Sequence, residues 1–271
     1  LKLLQKSKKE IKILKRCFVI GNDNNYCHNL LYYIPRIISL LQNKEIISKI
    51  DYILFNKFLP KYFFDLINEI LSIHKIKKEL ILIEKKLHLL EESYCPSFTG
   101  RIYDIEDNIK FWNRYSNSLI NRSNNNERYD KIYISREDSN NRKIINEKEI
   151  VVYLEKEGFK SVVLSKLNIF DQINLFYKAK VVIGYHGAGF VNVIFSKKNT
   201  KVIELFPNSS KIIRKTFEVI SKTQSLEHTY YYIDYISRIK NSLDLKDFDG
   251  VVNIKKFKLF LTSYLGNQYD K

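Results

Sequence analysis

The apolar run Val181-Val182-Ile183 ends in a loop carrying Gly184, Gly187 and Gly189 with His186 inside it, and no other stretch limits the fold as much. A short β-branched run without polar alternation reads as a strand buried on both faces, the habit of parallel sheets covered by helices. The loop after such a strand is where open α/β sheets place their ligands. Glycines there remove side chains, so backbone N–H groups can approach an anion, and the helix expected from Ala188 through Asn192 favours its charge. A phosphate-bearing ligand is the expectation.

A second β-branched run, Val202-Ile203, closes on Glu204. This acid lies about 20 residues past Gly184, the offset at which a dinucleotide-binding fold holds ribose hydroxyls. Yet the glycine order is G-x-x-G-x-G, and the loop comes late in the chain, whereas a dinucleotide fingerprint opens the first strand–helix unit. Glu204 is expected to grip a ribose. An NAD-type oxidoreductase is the alternative reading.

Three patches, in order, carry a further signal. They are Asn25-Tyr-Cys-His28-Asn-Leu-Leu with Pro35-Arg36, then Ile132-Tyr-Ile-Ser-Arg136 followed by Arg142, Asn146 and Glu147, then Val182 to Asn192 with Val202-Ile-Glu204-Leu-Phe-Pro207. Together they resemble glycosyltransferase family 61. The resemblance implies an α/β, GT-B-like fold: two Rossmann-like domains with parallel sheets facing a cleft, an activated-sugar donor and inverting transfer. Asn29 stands where that family usually has tryptophan, and Phe190 where leucine is usual. The chain looks short at its amino end, and with no Met anywhere Leu1 is not expected to be a natural start.

Composition narrows the partners. With 271 residues, 45% hydrophobic and 28% charged, the chain reads as a globular protein with a sizeable core. No run approaches the roughly 18 apolar residues that span a bilayer. The formal charge of +16 comes from lysines spread along the chain rather than striped. That distribution argues for a solvated surface and against nucleic acid, although a basic field favours anionic donors or an anionic membrane face. A cytoplasmic, membrane-peripheral protein is the expectation, and a non-catalytic basic binding module a second alternative. Cys17, Cys27 and Cys95 form no C-x-x-C pair, so neither a disulfide framework nor a structural zinc site is expected.

The first half reads as irregular α/β, with strands at 17–21, 52–55 and 80–83, helices at 30–42 and 62–73, and a loop-like stretch over 88–104. Residues 113–130, rich in Asn, Ser and Arg, read as a linker. The second half alternates: strands at 131–135, 161–165, 181–184, 202–205 and 230–233, helices at 146–158, 170–179 and 209–222. Such alternation predicts a doubly wound parallel sheet. The domains are then an acceptor-side α/β domain over 1–120, a nucleotide-sugar-binding Rossmann-like domain over 121–240, and a tail helix over 241–271 that, in GT-B proteins, often crosses back to the first domain.

Sugar transfer from a nucleotide-sugar to a glycan or glycoprotein hydroxyl needs a grip on the nucleotide, neutralisation of the departing diphosphate, and a base for the acceptor. Glu204 is the candidate for the ribose. Gly184, His186, Gly187, Ala188 and Gly189, with Arg136 and Arg142, are the candidates for the diphosphate, because arginine offers phosphate a planar fork. Asn192 either contacts the donor or packs. His28 is the candidate general base, with Asp23 its partner or rival. His74, His88 and His228 carry no expected role. No Asp-x-Asp stands at a strand end, so no metal is expected. The nucleotide-sugar is a substrate and no cofactor is called for.

Overall fold

A computed structural model describes residues 11–56, 60–83, 87–96, 105–123, 127–208, 215–239, 242 and 244–266. The chain divides into two compact units, Leu1–Leu119 and Ile120–Lys271.

Unit 1 holds four parallel strands among its described residues, β1 (Ile11–Val19), β2 (Tyr52–Phe55), β3 (Glu79–Leu82) and β4 (Leu87–Tyr94), in the order β3-β2-β1-β4. The chain leaves β1 for strands on one side and returns to place β4 on the other. That reversal makes the carboxyl ends of β1 and β4 a switch point, the place where open α/β sheets receive ligands. Helix α1 (Lys61–Ile73) buries Phe63, Leu66, Ile67, Ile70 and Leu71, the stripe that helical spacing puts on one face.

Two expectations for this half need correction. Part of the stretch read as a loop is β4, which pairs with β1 from Ile11↔Leu87 to Phe18↔Tyr94, while 97–104 lie outside the described residues. The start of the expected linker belongs to helix α2 (Ile105–Ile120), which buries Ile105, Ile109, Trp112, Tyr115 and Leu119. Its polar face of Asn, Ser and Arg hid that stripe, and Trp112 fixes it by donating Nε1–H to the Leu30 carbonyl at 2.7 Å.

Unit 2 contains β5 (Lys131–Ile134), α3 (Glu147–Lys156), β6 (Lys160–Val162), α4 (Ile169–Lys178), β7 (Val181–Tyr185), β8 (Lys201–Pro207), α5 (Thr216–Thr223), β9 (Glu227–Ser237), β10 (Phe248–Val251) and α6 (Ile254–Gly266). Its sheet runs β10-β9-β8-β7-β5-β6, parallel except for β10, which pairs antiparallel with β9. After β5 the chain goes first to β6 on one side and then to β7 on the other, so the switch point falls between β5 and β7. Every residue of β7 and β8 is buried, as a two-sided parallel sheet requires.

Here, too, the structure departs from expectation. The helix after the glycine loop is a 3-10 helix, Ala188–Phe195. The Asp247-Phe-Asp249 stretch leads into β10, whose Phe248 and Gly250 are buried. The predicted 209–222 helix is described only as α5, its first residues lying outside the described ones. The tail helix α6 packs on its own sheet: Phe257 and Leu261 join the core of Tyr133, Ile150, Ile183 and Ile203, and Tyr231 lies 4.9 Å from Phe257. Among the described residues no helix is long and apolar enough to cross a membrane.

Candidate active site

Both switch points carry the residues that chemistry would need. At that of unit 2, Arg136 leaves β5 and the glycine loop leaves β7. The Arg136 backbone N–H donates to Glu147 Oε1 at 2.7 Å, anchoring the turn to the start of α3. Its Nε donates to the Arg142 carbonyl at 3.2 Å, and Nη2 to Ser139 Oγ and the Asn141 carbonyl at 2.7 and 2.6 Å. Burial lowers the guanidinium's pKa, but arginine stays cationic at neutral pH. Arg142, expected as a second phosphate fork, takes a left-handed φ of 54° and offers Arg136 its carbonyl.

The three glycines divide the work. A Cβ on Gly184 would stand 2.8 Å from Phe190 Cε2 and 3.0 Å from Ile134 Cβ, so Gly184 lets the strand and the following helix pack closely. A Cβ on Gly189 would meet Leu164 Cδ1 at 2.8 Å, again a packing constraint. Gly187 differs: its absent Cβ would lie 2.5 Å from Arg136 Nη1. Its φ of 178° is ordinary extended backbone, so the glycine is needed for space. Among the described residues no backbone carbonyl accepts from the N–H groups of Gly187, Ala188 or Gly189, the open donors that begin a helix. A cation therefore stands beside Gly187 at the start of a helix beyond β5 and β7, a setting for an anion.

Asn192 packs. It is fully buried, with Nδ2 donating to Gln172 Oε1 and the Gly189 carbonyl, both at 3.1 Å, and so braces the loop from below.

Glu204 is not placed as a ribose clamp. It is 0% exposed, its Oε1 meets His186 Nδ1 in a short contact, and its Oε2 meets His228 Nε2 at 2.9 Å. Both oxygens are thus occupied by imidazoles, leaving none for pentose hydroxyls. The same fact removes the acid on which the dinucleotide reading relied. Burial pushes the Glu204 pKa up, but the hydrogen bonds from the two histidines outweigh it and hold the carboxyl below its ordinary value. An ionised Glu204 fixes the tautomers: His186 carries hydrogen on Nδ1 and turns Nε2 away from it, while His228 does the reverse. Phe206 and Phe217 flank the His186 ring at 5.1 and 5.0 Å, and Tyr230 lies 4.7 Å from His228. His228 was invisible in sequence. It reaches Glu204 because β8 and β9 pair Val202 with His228 and Glu204 with Tyr230, a register no local pattern announces.

At unit 1's switch point, β1 runs through Ile20 into Gly21, whose φ of 72° suits glycine alone, and then into the Asn22–Asn25 loop. Asn22 Oδ1 accepts from the Asn56 N–H at 2.9 Å, tying this loop to the end of β2. Asn25 caps the helical turn Tyr26–His28 by accepting from the His28 N–H. The helix continues through a π turn (Asn29–Tyr33) and a 3-10 turn containing Pro35, which has no N–H to give. Interruptions of this kind gather at functional positions.

His28 Nδ1 lies 2.7 Å from Asp23 Oδ2. The hydrogen bond from His28 is the main cause that holds Asp23 below the usual carboxylate range, so Asp23 is an anion near neutral pH and keeps the His28 proton on Nδ1. Nε2 is then the basic atom. Asn29, the family's tryptophan position, is fully buried: Oδ1 accepts from the Asp23 N–H at 2.8 Å, and Nδ2 donates to the Asp23 carbonyl and Tyr62 Oη, both at 2.7 Å. It holds Asp23 at both ends of its backbone. Sequence alone offered no sign of Tyr62.

The family described as Glycosyltransferase 61 matches residues 13–203, and the chain belongs to it. Among curated proteins it is similar to beta-1,2-xylosyltransferase RCN11 of Oryza sativa subsp. japonica, 34% identical over 96 residues, which are 32% of this chain and 17% of that protein. A beta-1,2-xylosyltransferase of Arabidopsis thaliana is 34% identical over 65 residues, 24% of this chain and 12% of its own length. The matches thus span less than a fifth of either plant protein.

Proposed function

We propose that this chain is an inverting glycosyltransferase with a GT-B division of labour between two Rossmann-like units, unit 2 holding a nucleotide-sugar and unit 1 serving a glycan or glycoprotein acceptor. The reading is carried by one observation: the Arg136 guanidinium fills the space that a side chain on Gly187 would take, at the start of the helix beyond β7. The donor's diphosphate sits at that helix start, with Arg136 meeting the charge that grows as the leaving group departs. Glu204 holds His186, and with it the start of the glycine loop, in place. His28 Nε2 takes the proton of the acceptor hydroxyl as its oxygen displaces the diphosphate at the anomeric carbon. Asp23 steadies the resulting imidazolium. The names of the plant relatives favour a pentose as the transferred sugar.

Titration with nucleoside diphosphates, nucleotide-sugars including a xylose donor, and NADH tests the assignment. Saturable binding of a nucleoside diphosphate is expected, weakened at least tenfold by Arg136→Ala, with circular dichroism confirming that the variant is folded. Binding of NADH alone would overturn it.

A further inference from the structure

The opposite end of the unit 2 sheet holds a second concavity, of about 540 Å³, formed where β5, β7 and β8 begin. Its volume falls in the range of small-ligand sites. Arg128 and Lys131 line it from the start of β5, and Lys178 and Lys180 from the approach to β7. Lys197, Lys198 and Lys201 line it from the approach to β8, and Asp130 is the one carboxylate on its walls. Over the whole sequence, 46 cationic residues face 30 acids, so seven to one is a local excess and not the background of a basic chain.

Several of these cations are held in place. Lys201 is 8% exposed, with Nζ donating to the Tyr264 carbonyl at 3.0 Å and lying 4.9 Å from the Tyr264 ring centre. Lys131 Nζ donates to the Glu157 carbonyl at 3.0 Å, and Lys197 Nζ stands 4.3 Å from the Tyr177 ring centre. Asp130 is shared by Arg128 at 3.3 Å and Lys180 at 2.8 Å, which leaves most of the positive charge uncompensated. Each ammonium has three donors, so one carbonyl does not exhaust it. Gathering like charges in a concave wall costs stability, and the fold gains nothing from it without an anion. Ordering them beforehand lowers the cost of capturing one.

We propose that this basic cavity is a phosphate-binding site separate from the switch point. Six residue steps along β7 and its flanks, from Lys180 to His186, separate the two, about 20 Å at strand rise. The ligand is a multiply charged phosphate group, either free or on a lipid headgroup.

Calorimetric titration of the full chain with inorganic pyrophosphate, and sedimentation with vesicles of phosphatidylcholine with or without phosphatidic acid, test this. The variant Lys180→Gln/Lys197→Gln/Lys198→Gln removes exposed charges, and circular dichroism confirms its fold. A free-phosphate ligand predicts that Arg136→Ala retains a pyrophosphate site, and that adding the triple substitution to Arg136→Ala weakens that site at least tenfold. A lipid ligand predicts the same loss on phosphatidic acid vesicles only. Pyrophosphate and vesicle binding that the triple substitution leaves intact in the Arg136→Ala background, or no binding of either, would overturn the proposal. Loss in Arg136→Ala alone assigns the phosphate to the switch point and equally sinks the second site.

Discussion

Each unit sets an imidazole against a carboxylate, and the two pairs live in opposite surroundings. In unit 2, Glu204 is sealed between His186 and His228 beneath aromatic rings. In unit 1, the side chains of His28 and Asp23 keep 34% and 37% of their surface in solvent. A sealed pair stabilises little net of its desolvation, yet loses heavily when one partner is removed. A half-exposed pair adds little to stability, but its far nitrogen can meet a substrate. Solvent access, not the chemistry of the pair, is the ground on which His28 is proposed as the base and Glu204 as a structural acid.

The largest expected effect comes from breaking the exposed pair. His28→Ala removes the proposed base and should cut transfer by about 10³-fold, within the usual span for general base catalysis. Donor binding and the melting curve should stay put, since His28 makes no buried contact that the fold needs. Full turnover in this variant would make both pairs structural and erase the contrast.

The sealed pair should answer in stability instead. Glu204→Ala leaves two buried imidazoles without their acceptor and should cost about 3 kcal/mol, a fall of roughly 6–12 °C in melting temperature for a unit of this size. Glu204→Gln keeps the volume while removing the charge and one of the two acceptor oxygens. The folded pKa of Glu204 lies below its ordinary 4.5, so its contribution is complete above that value and is lost as pH falls through the folded value. His186 and His228 face the carboxylate, with the Tyr230 ring against His228. The Gln variant should therefore show a shallower acid limb of stability, measured by chemical denaturation between about pH 3 and 6. An unchanged limb would mean that Glu204 is no anion in the folded chain.

Asp23→Asn separates orientation from charge within the exposed pair. Asn brings no charge to the imidazolium and can turn its NH2 toward Nδ1, so transfer should fall by about 10²-fold with donor affinity unchanged. A fall as deep as that of His28→Ala would make Asp23 the base, the rival role considered above.

How much of this was legible in the sequence differs between the units for a physical reason. The strands of unit 2 are buried on both faces, so β7 and β8 announce themselves as apolar runs, and the loops at their ends follow. His28 and Asp23 were legible because loop polarity and a helix cap lie within a few residues of each other. Glu204 was visible as a strand-end acid, but its use was not, because its two partners arrive from another loop and another strand. The register of β8 on β9 brings His228 to it, and register is set by the whole sheet. Helix α2 was missed because its core stripe alternates with Asn, Ser and Arg, residues that also mark loops.

The smallest effect sharpens the comparison from the donor side. Gly187→Ala places a methyl group 2.5 Å from Arg136 Nη1, and only the end of a long side chain has to yield. The fold should hold, because an extended φ accepts alanine, whereas Gly184→Ala would press on the Phe190 ring and the Ile134 Cβ and destabilise by about 1–3 kcal/mol. Moving Arg136 while leaving the Glu204 cluster intact should weaken nucleoside diphosphate binding about tenfold, roughly the worth of one charge-assisted contact. Titration beside Arg136→Ala checks the cause: if the guanidinium is what Gly187 makes room for, the double variant binds no worse than Arg136→Ala alone. Additive losses would give Gly187 a role of its own in the phosphate cradle and detach Arg136 from it.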